Sequence, residues 1–294
     1  MQNVCVKKRK RRRLPHHAVA AGLAVLLLFL LLSARHDEAA LPQKADPGEP
    51  VQVHDGANDV WITPAKGVAV SPLRPENFSE DSNGWPVYRG RDFIALRGID
   101  ISEYQSDIDW TQVRRAGIDF VIIRCGYRGY EKGTLCPDSA FAAHAAGAYE
   151  AGLQVGAYFF SQAVTPEEAA EEADYTLTLI RDCHVNLPVM IDWERVSADT
   201  ARTNAVDITD LTDIAQAFCE TIEKGGYDAG IYFNRQLGYY AYDWSRLQDY
   251  AMWVADYNAW PDFYYTPDFW QYSAGSQVPG ISIQTDMNLW LLPR

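Results

Sequence analysis

Short apolar runs recur along the carboxyl-terminal two-thirds of the chain: "LRGIDIS" (96–102), "DFVIIRCG" (119–126), "QVGAYFFS" (154–161), "LPVMIDWE" (187–194), "AGIYFN" (229–234), "AMWVADY" (251–257), "DFWQYS" (268–273) and "ISIQTDMNLW" (281–290). Several carry no polar alternation, as parallel strands covered on both faces would. Between the earlier runs lie helical patterns, "DWTQVRRAG", "DSAFAAHAAGAYEAG", "TPEEAAEEADYTLTLIRDC" and "DITDLTDIAQAFCETIEKGG". Each opens on a residue suited to an N-cap, Asp109, Asp138, Thr165 or Asp207, and three run into glycine. Strands alternating with helices, up to eight in number, predict an α/β chain closed into a β/α barrel over 91–294. After Asn234 the connections shorten and lose their helical period, so the second half should be irregular. An open doubly wound sheet is the alternative, and no internal repeat stands out.

The first 90 residues read differently. "KKRKRRR" precedes an uncharged stretch from Ala18 to Leu32, the order that keeps an amino terminus in the cytoplasm and sends the rest across a membrane. Residues 1–35 are therefore read as a basic cytoplasmic tail and an uncleaved signal anchor. A cleaved signal peptide is the alternative, disfavoured because good small-x-small cleavage sites are missing. The domain would sit outside the cytoplasm on a single-pass membrane segment, or be secreted if the segment is cut. Residues 36–90 lack an apolar period, and seven of the 15 prolines fall between 36 and 96, as in a linker. Part of it, notably "DVWITP", is a candidate to pack on the domain.

Charge narrows the partners. Eight of the 26 Lys and Arg lie in residues 1–35, which contain no acid; the remainder carries 18 bases against 39 acids, a net of −21. So acidic a body is a poor grip for phosphate backbones, and nucleic acid is excluded as a partner. Cys125, Cys136, Cys183 and Cys219 are too scattered for a zinc site. A Cys125–Cys136 bridge or four buried thiols are both compatible with export. His144 and His184 both fall on helical patterns, which leaves no histidine for a Ser-His-Asp hydrolase or a metal centre. With no phosphate loop either, no metal or other cofactor is implied.

The chemistry on offer is carboxylate chemistry. Asp192 and Glu194 end a strand two residues apart, so both face one side while Trp193 faces the other. Asp100, Asp256 and Asp286 lie at comparable levels of other strands, and a barrel would gather all five at one mouth. Crowded acids retain a proton near neutrality, which suits protonation of a glycosidic oxygen. Each also has a plain structural use: Asp100, Asp256 and Asp286 in turns or ion pairs, Asp192 and Glu194 as a cap and a surface acid. Tyr104, Tyr127, Tyr158, Trp193, Tyr232, Tyr257, Trp270 and Tyr272 cluster near strand ends, where rings stack on sugars or fill the core; about half belong to the core by general preference.

The ordered set "GIDISEYQ", "DFVIIRCGY", "AGLQVGAYFF", "LPVMIDWE", "GIYFN", "WVADY", "WQYS" and "TDMNLW" resembles glycoside hydrolase family 25, the Chalaropsis-type muramidases, from about Arg97 to Pro293. The resemblance implies an irregular TIM-like (β/α) barrel that cleaves β-1,4 bonds between N-acetylmuramic acid and N-acetylglucosamine in peptidoglycan. It maps the family's acids onto Glu194 as proton donor, Asp192 beside the anomeric carbon, and Asp100 and Asp286 in support. Sugar-binding candidates are Tyr104, Arg124, Tyr127, Tyr158, Tyr232, Asn234, Asp256, Trp270, Gln271 and Tyr272. Phe159 stands where many members have histidine, which puts one sugar contact in question. A wall-binding module without turnover, or a glycosidase of another N-acetylated glycan such as chitin, are the competing readings.

Overall fold

The computed structural model describes residues 48–294. Two small hairpins come first, β1 (Val51–His54) with β2 (Asp59–Ile62), and β3 (Phe78–Glu80) with β4 (Pro86–Tyr88). A nine-stranded sheet follows, made of β5 (Phe93–Ile101), β6 (Phe120–Arg128), β7 (Leu135–Pro137), β8 (Gln154–Ser161), β9 (Val189–Trp193), β10 (Ala229–Asn234), β11 (Ala251–Ala255), β12 (Phe269–Ser276) and β13 (Thr285–Pro293). Around the ring the order is β5, β6, β8, β9, β10, β11, β12, β13 and back to β5, a closed barrel of eight strands with β7 folded onto β6. All eight apolar runs are strands, and closure excludes the open sheet.

One strand runs against expectation. β13 is antiparallel to both β12 and β5. Only residues 277–284 separate it from β12, and a parallel crossover needs about a dozen residues or more.

Helices cover the first half. They are α1 (Trp110–Arg115), α2 (Phe141–Glu150), α3 (Pro166–Ile180) and α4 (Leu211–Lys224), followed by the short α5 (Arg235–Tyr240) and α6 (Trp244–Leu247). Asp109 and Thr165 cap α1 and α3 by accepting from the amides of Gln112 and Glu168. Asp207 instead caps the 3-10 turn Ile208–Asp210 ahead of α4, and Asp138 accepts from the amide of Ala140 before α2.

Inside the barrel, Phe120, Ile122, Met190, Trp253 and Phe269 form a packed plug, with Phe269 stacked on Trp290 at 5.4 Å. Glycines make room for it. A Cβ on Gly98 would lie 2.3 Å from the Phe120 ring, and one on Gly230 would lie 2.2 Å from Met190 Sδ. The plug gives the mouth of the barrel an apolar floor that water does not reach from below.

Where the outer helices run out, the amino-terminal segment takes their place. Residues 51–90, expected as linker, are folded onto the barrel. Val68, Leu73 and Trp85 are buried, Val70 bridges to Tyr265, and Ala65 N donates to Tyr265 Oη at 2.6 Å. The ring of Phe78 meets that of Trp270 edge-on at 5.5 Å. Irregular chain thus excludes water from part of the outer face of β12, β13 and β5, where Leu73 packs with Phe93 and Leu291. The expected membrane anchor and the start of the linker lie outside the described residues. Among the described residues no helix is long and apolar enough to cross a membrane.

All four cysteines of the domain are free. Strand register sets Cys136 opposite Tyr127, while Cys125 is buried with its Sγ toward Thr176, so the Cys125–Cys136 bridge is not formed; of the four thiols Cys125 and Cys219 are buried and Cys136 and Cys183 partly so.

Candidate active site

Asp100, Asp192, Glu194 and Asp286 line one cavity of about 300 Å³ at the mouth of the barrel. Asp100 is the penultimate residue of β5, and Asp192 and Glu194 straddle the end of β9. Asp286 is second in β13, whose reversed direction brings its amino end to the level of the others' carboxyl ends, directly opposite Asp100.

A polar lattice fixes Asp100. Its Oδ2 accepts from Gln271 Nε2 at 2.9 Å and from Asn288 Nδ2 at 2.8 Å. Gln271 Nε2 also donates to Asp286 Oδ2 at 3.3 Å, while its Oε1 accepts from Tyr232 Oη (3.0 Å) and Tyr257 Oη (2.9 Å). Asn288 Oδ1 accepts from Trp253 Nε1 at 2.8 Å. Two phenols and an indole that donate set the sense of both amides, which then turn their N–H groups toward the acids.

Asp192 differs. It is buried and its Oδ1 has no hydrogen-bond partner among the described residues. Glu194 is anchored by its backbone, whose carbonyl accepts from Gln162 Nε2 at 2.6 Å. Gln162 is itself buried, with its Oε1 accepting from Thr203 Oγ1. The strand end is thus held while the Glu194 carboxyl faces the cavity.

Burial and mutual repulsion make the cluster hold protons. Burial, then the charges of Asp286 and Glu194, push Asp100 up to about 7 against the opposing amides. Burial, then Glu194 and Asp100, push Asp192 well above the usual carboxylate range, opposed by the Arg124 charge. Glu194 is raised by burial and by Asp286, and burial takes Asp286 to about 6. Four acids on so small a cavity do not all ionise together, so protons persist there into the neutral range.

Two further cavities extend the mouth into a groove. One of about 450 Å³ shares Tyr104, Arg124 and Phe160 with the acid cavity and adds Tyr127. Arg124 lies 5.3 Å from the ring centroids of both Tyr104 and Tyr127, and is held by Asp138 (2.8 Å) and Glu103 (3.1 Å). A bulge between Arg124 and Gly126 lets residues three apart share one face. On the other side, a second cavity of about 450 Å³ shares Glu194 and Tyr232 and adds Asn234, Asp256 and Tyr257. Asn234 caps α5 by accepting from the amide of Leu237.

Tyr158, Tyr232 and Gln271 line the acid cavity with Tyr104 and Arg124, and Tyr127, Asn234 and Asp256 line its neighbours. Asp256 is therefore not a fifth member of the cluster. Its Oδ2 accepts from the amide of Asp262 at 2.6 Å, and Arg235 Nε stands 3.6 Å from Oδ1. Trp270 and Tyr272 line none of these cavities. They flank inward-facing Gln271 in the strand alternation, so they point outward, where Trp270 is 0% exposed and Tyr272 8% exposed beneath the amino-terminal segment. Phe159 likewise faces outward, packing on Tyr175, so the missing histidine removes nothing from the cavity wall.

Sequence reasoning missed Trp253, Phe160 and Asn288 as parts of the site, and the turn Asp55–Ala57 as a groove wall. The β1–β2 turn had a signal: "VQV" and "DVWI" alternate on either side of a Gly-containing turn, a hairpin pattern.

Comparison with known proteins agrees with this arrangement. Lysozyme M1 of Streptomyces globisporus is 26% identical over 265 residues, covering 85% of this chain and 82% of that protein. The autolytic lysozyme of Clostridium acetobutylicum is 26% identical over 196 residues, covering 66% of this chain and 55% of its own length. The crystal structure of a bacterial lysozyme from Streptomyces coelicolor superposes with a TM-score of 0.52 at 25% identity, over 66% of this chain and 91% of that one. The family profile described as "Glycosyl hydrolases family 25" matches residues 99–281, which hold Asp100, Asp192 and Glu194 but stop short of Asp286. With well over half its length matched and the acids of the match meeting in one cavity, this chain belongs to glycosyl hydrolase family 25.

Proposed function

We propose that the protein is a lysozyme, a muramidase that hydrolyses the β-1,4 bond between N-acetylmuramic acid and N-acetylglucosamine in peptidoglycan. The observation that carries this is the meeting of four carboxyls with raised proton affinity in one sugar-sized cavity. Its relatives named as lysozymes support the choice of substrate.

In this reading Glu194, its proton affinity raised by burial and by Asp286 and its carboxyl set where the acid cavity meets its neighbour, gives its proton to the leaving glycosidic oxygen. Positive charge then develops at the anomeric carbon. Asp192, whose Oδ1 has no partner among the described residues, is placed to accept a hydrogen bond either from the N–H of the sugar's acetamido group, whose carbonyl oxygen attacks the anomeric carbon, or from an attacking water; the Arg124 charge favours the ionised form that does this. Asp286, steered by Gln271, supplies the charge that raises the proton affinity of Glu194, while Gln271 and Asn288 fix Asp100 beside it. Arg124 between two tyrosine rings offers a flat, polar-edged platform for an adjoining sugar.

The experiment is release of reducing ends from purified peptidoglycan. Wild type releases them; Glu194→Gln loses about 10²- to 10⁴-fold in kcat, the span of general acid catalysis, while still sedimenting with the wall. An active Gln variant removes the acid assignment, and wild-type binding without cleavage at any pH favours a binding module. Chitin oligomers in the same panel test the other glycan.

The proposal extends to location. The basic run Lys7–Arg13 ahead of the apolar stretch Ala18–Leu32 supports export, with the enzyme held on the outer side of the cell membrane or released by cleavage. Protease accessibility of the domain on intact spheroplasts, with fractionation, tests it; a protected domain contradicts it.

A further inference from the structure

The turn between β1 and β2 lies outside the residues matched by the family, yet it forms a wall of the groove. Asp55, Gly56 and Ala57 line a cavity together with Glu194 and Tyr232. The turn is built to be rigid. Asp55 Oδ1 accepts from the amides of Ala57 and Asn58, each at 2.8 Å, and Oδ2 accepts from Tyr240 Oη at 2.7 Å. Three accepted hydrogen bonds thus engage both its oxygens inside the protein, and these bonds hold the Asp55 carboxyl below its usual range. Gly56 has φ +106°, which an L side chain rarely adopts, and its Cβ position lies 3.6 Å from the Arg235 guanidinium. The turn therefore rests its backbone on Arg235, itself buried, and is tied to the end of α5 by Tyr240.

The position of Glu194 gives this cavity a side. Of the four acids only Glu194 borders it; Asp100, Asp192 and Asp286 belong to the central cavity alone. A proton donor stands between the sugar that becomes the cation and the sugar that leaves. The central cavity, with its three other acids, stabilises the cation; the cavity beyond Glu194 receives the leaving sugar. Exposed Tyr257 offers a ring, and Asn234, Gln236 and Asn258 offer amides, a set suited to a neutral N-acetylhexosamine.

We propose that the Asp55–Ala57 turn is a specificity element, fixed by Tyr240 and Arg235, that closes the subsite for the leaving N-acetylhexosamine. The inference rests on the muramidase reading. Asp55 is a positioning residue in it, touching the sugar only through the backbone it holds.

The test compares two substrates on the full chain: peptidoglycan strands, whose leaving group is a sugar, and an aryl glycoside of an N-acetylated oligosaccharide, whose leaving group is a small phenol. Asp55→Ala frees the turn, and Ala57→Trp fills the cavity without touching those hydrogen bonds. For both, the ratio of kcat/KM on strands to that on the aryl glycoside should fall about tenfold, through KM more than kcat. Asp55→Asn, which keeps an acceptor for the amides, should recover part of the ratio. Tyr240→Phe, which only releases Oδ2, should give a smaller fall and covers the case of an unfolded Asp55→Ala. An unchanged ratio with either Ala57→Trp or Tyr240→Phe, including an equal loss on both substrates, overturns the inference while leaving the muramidase reading intact. A wild type that cleaves neither substrate overturns both.

Discussion

Replacing Asp100 by Asn isolates the physical tension at the heart of the site. Asp100 is buried, faces Asp286 across the β5–β13 pair, and is held up to about 7 from an ordinary value of 3.8. A carboxyl raised in the folded state binds its proton more tightly there than in the unfolded chain. Its stabilising contribution is complete below about pH 4 and is lost as pH rises through about 7. At 1.36 kcal/mol per pH unit the ionised form costs the fold about 4 kcal/mol. The smaller part of this is already present at pH 5, where the unfolded chain is ionised and the folded one is not.

Asn keeps the shape, and its carbonyl can accept from Gln271 and Asn288 as Asp100 Oδ2 does. Asp100→Asn should therefore stabilise the protein by about 3 kcal/mol more at pH 8 than at pH 5, a rise in relative Tm of about 6 to 12 °C for a domain of this size. Urea unfolding followed by tryptophan fluorescence at the two pH values measures it, and activity should fall as stability rises. An equal effect at both pH values, or a less stable variant at pH 8, would refute the electrostatic reasoning.

Other outcomes follow from the same geometry. Asp286 raises the proton affinity of Glu194, so Asp286→Asn should move the basic limb of the kcat/KM profile to lower pH; a fixed limb would separate the two groups. Arg124 favours ionised Asp192, so Arg124→Gln should move the acidic limb to higher pH, with a raised KM from loss of the platform between Tyr104 and Tyr127; an unmoved acidic limb would uncouple Arg124 from Asp192. Trp270 is buried outside the barrel, with its Nε1 donating to the carbonyl of Asp256. Trp270→Ala should cost about 3 to 5 kcal/mol in urea unfolding, the range for deleting a buried aromatic, yet leave KM for peptidoglycan near wild type in the folded enzyme. A KM defect without loss of stability would return Trp270 to the site.

How much of this was legible in the sequence depended on periodicity. The eight strands announced themselves because a strand buried on both faces is a plain apolar run. Which parity faces inward was hidden: in "WQYS" aromatic and polar positions alternate, but rings suit a sugar cleft as well as an outer core, and only the structure turns Gln271 in and Trp270 and Tyr272 out. Asp192 and Glu194 were readable as a pair because i and i+2 share a face whatever the register. Strand direction leaves no mark on side-chain alternation, so the reversal of β13 was invisible, although the shortness of the loop before it was not. The segment 51–90 read as linker because irregular chain that covers a sheet needs isolated anchors such as Leu73 and Trp85, not a period. Export and anchoring rest on residues 1–35, where composition itself is the signal.

The most direct measurement is mass spectrometry of the fragments released from a peptidoglycan of defined structure by the wild-type enzyme and by Glu194→Gln. The account predicts N-acetylmuramic acid at every new reducing end with the wild type, and essentially no fragments with the variant. N-acetylglucosamine at the new ends, or undiminished release by the variant, would contradict it.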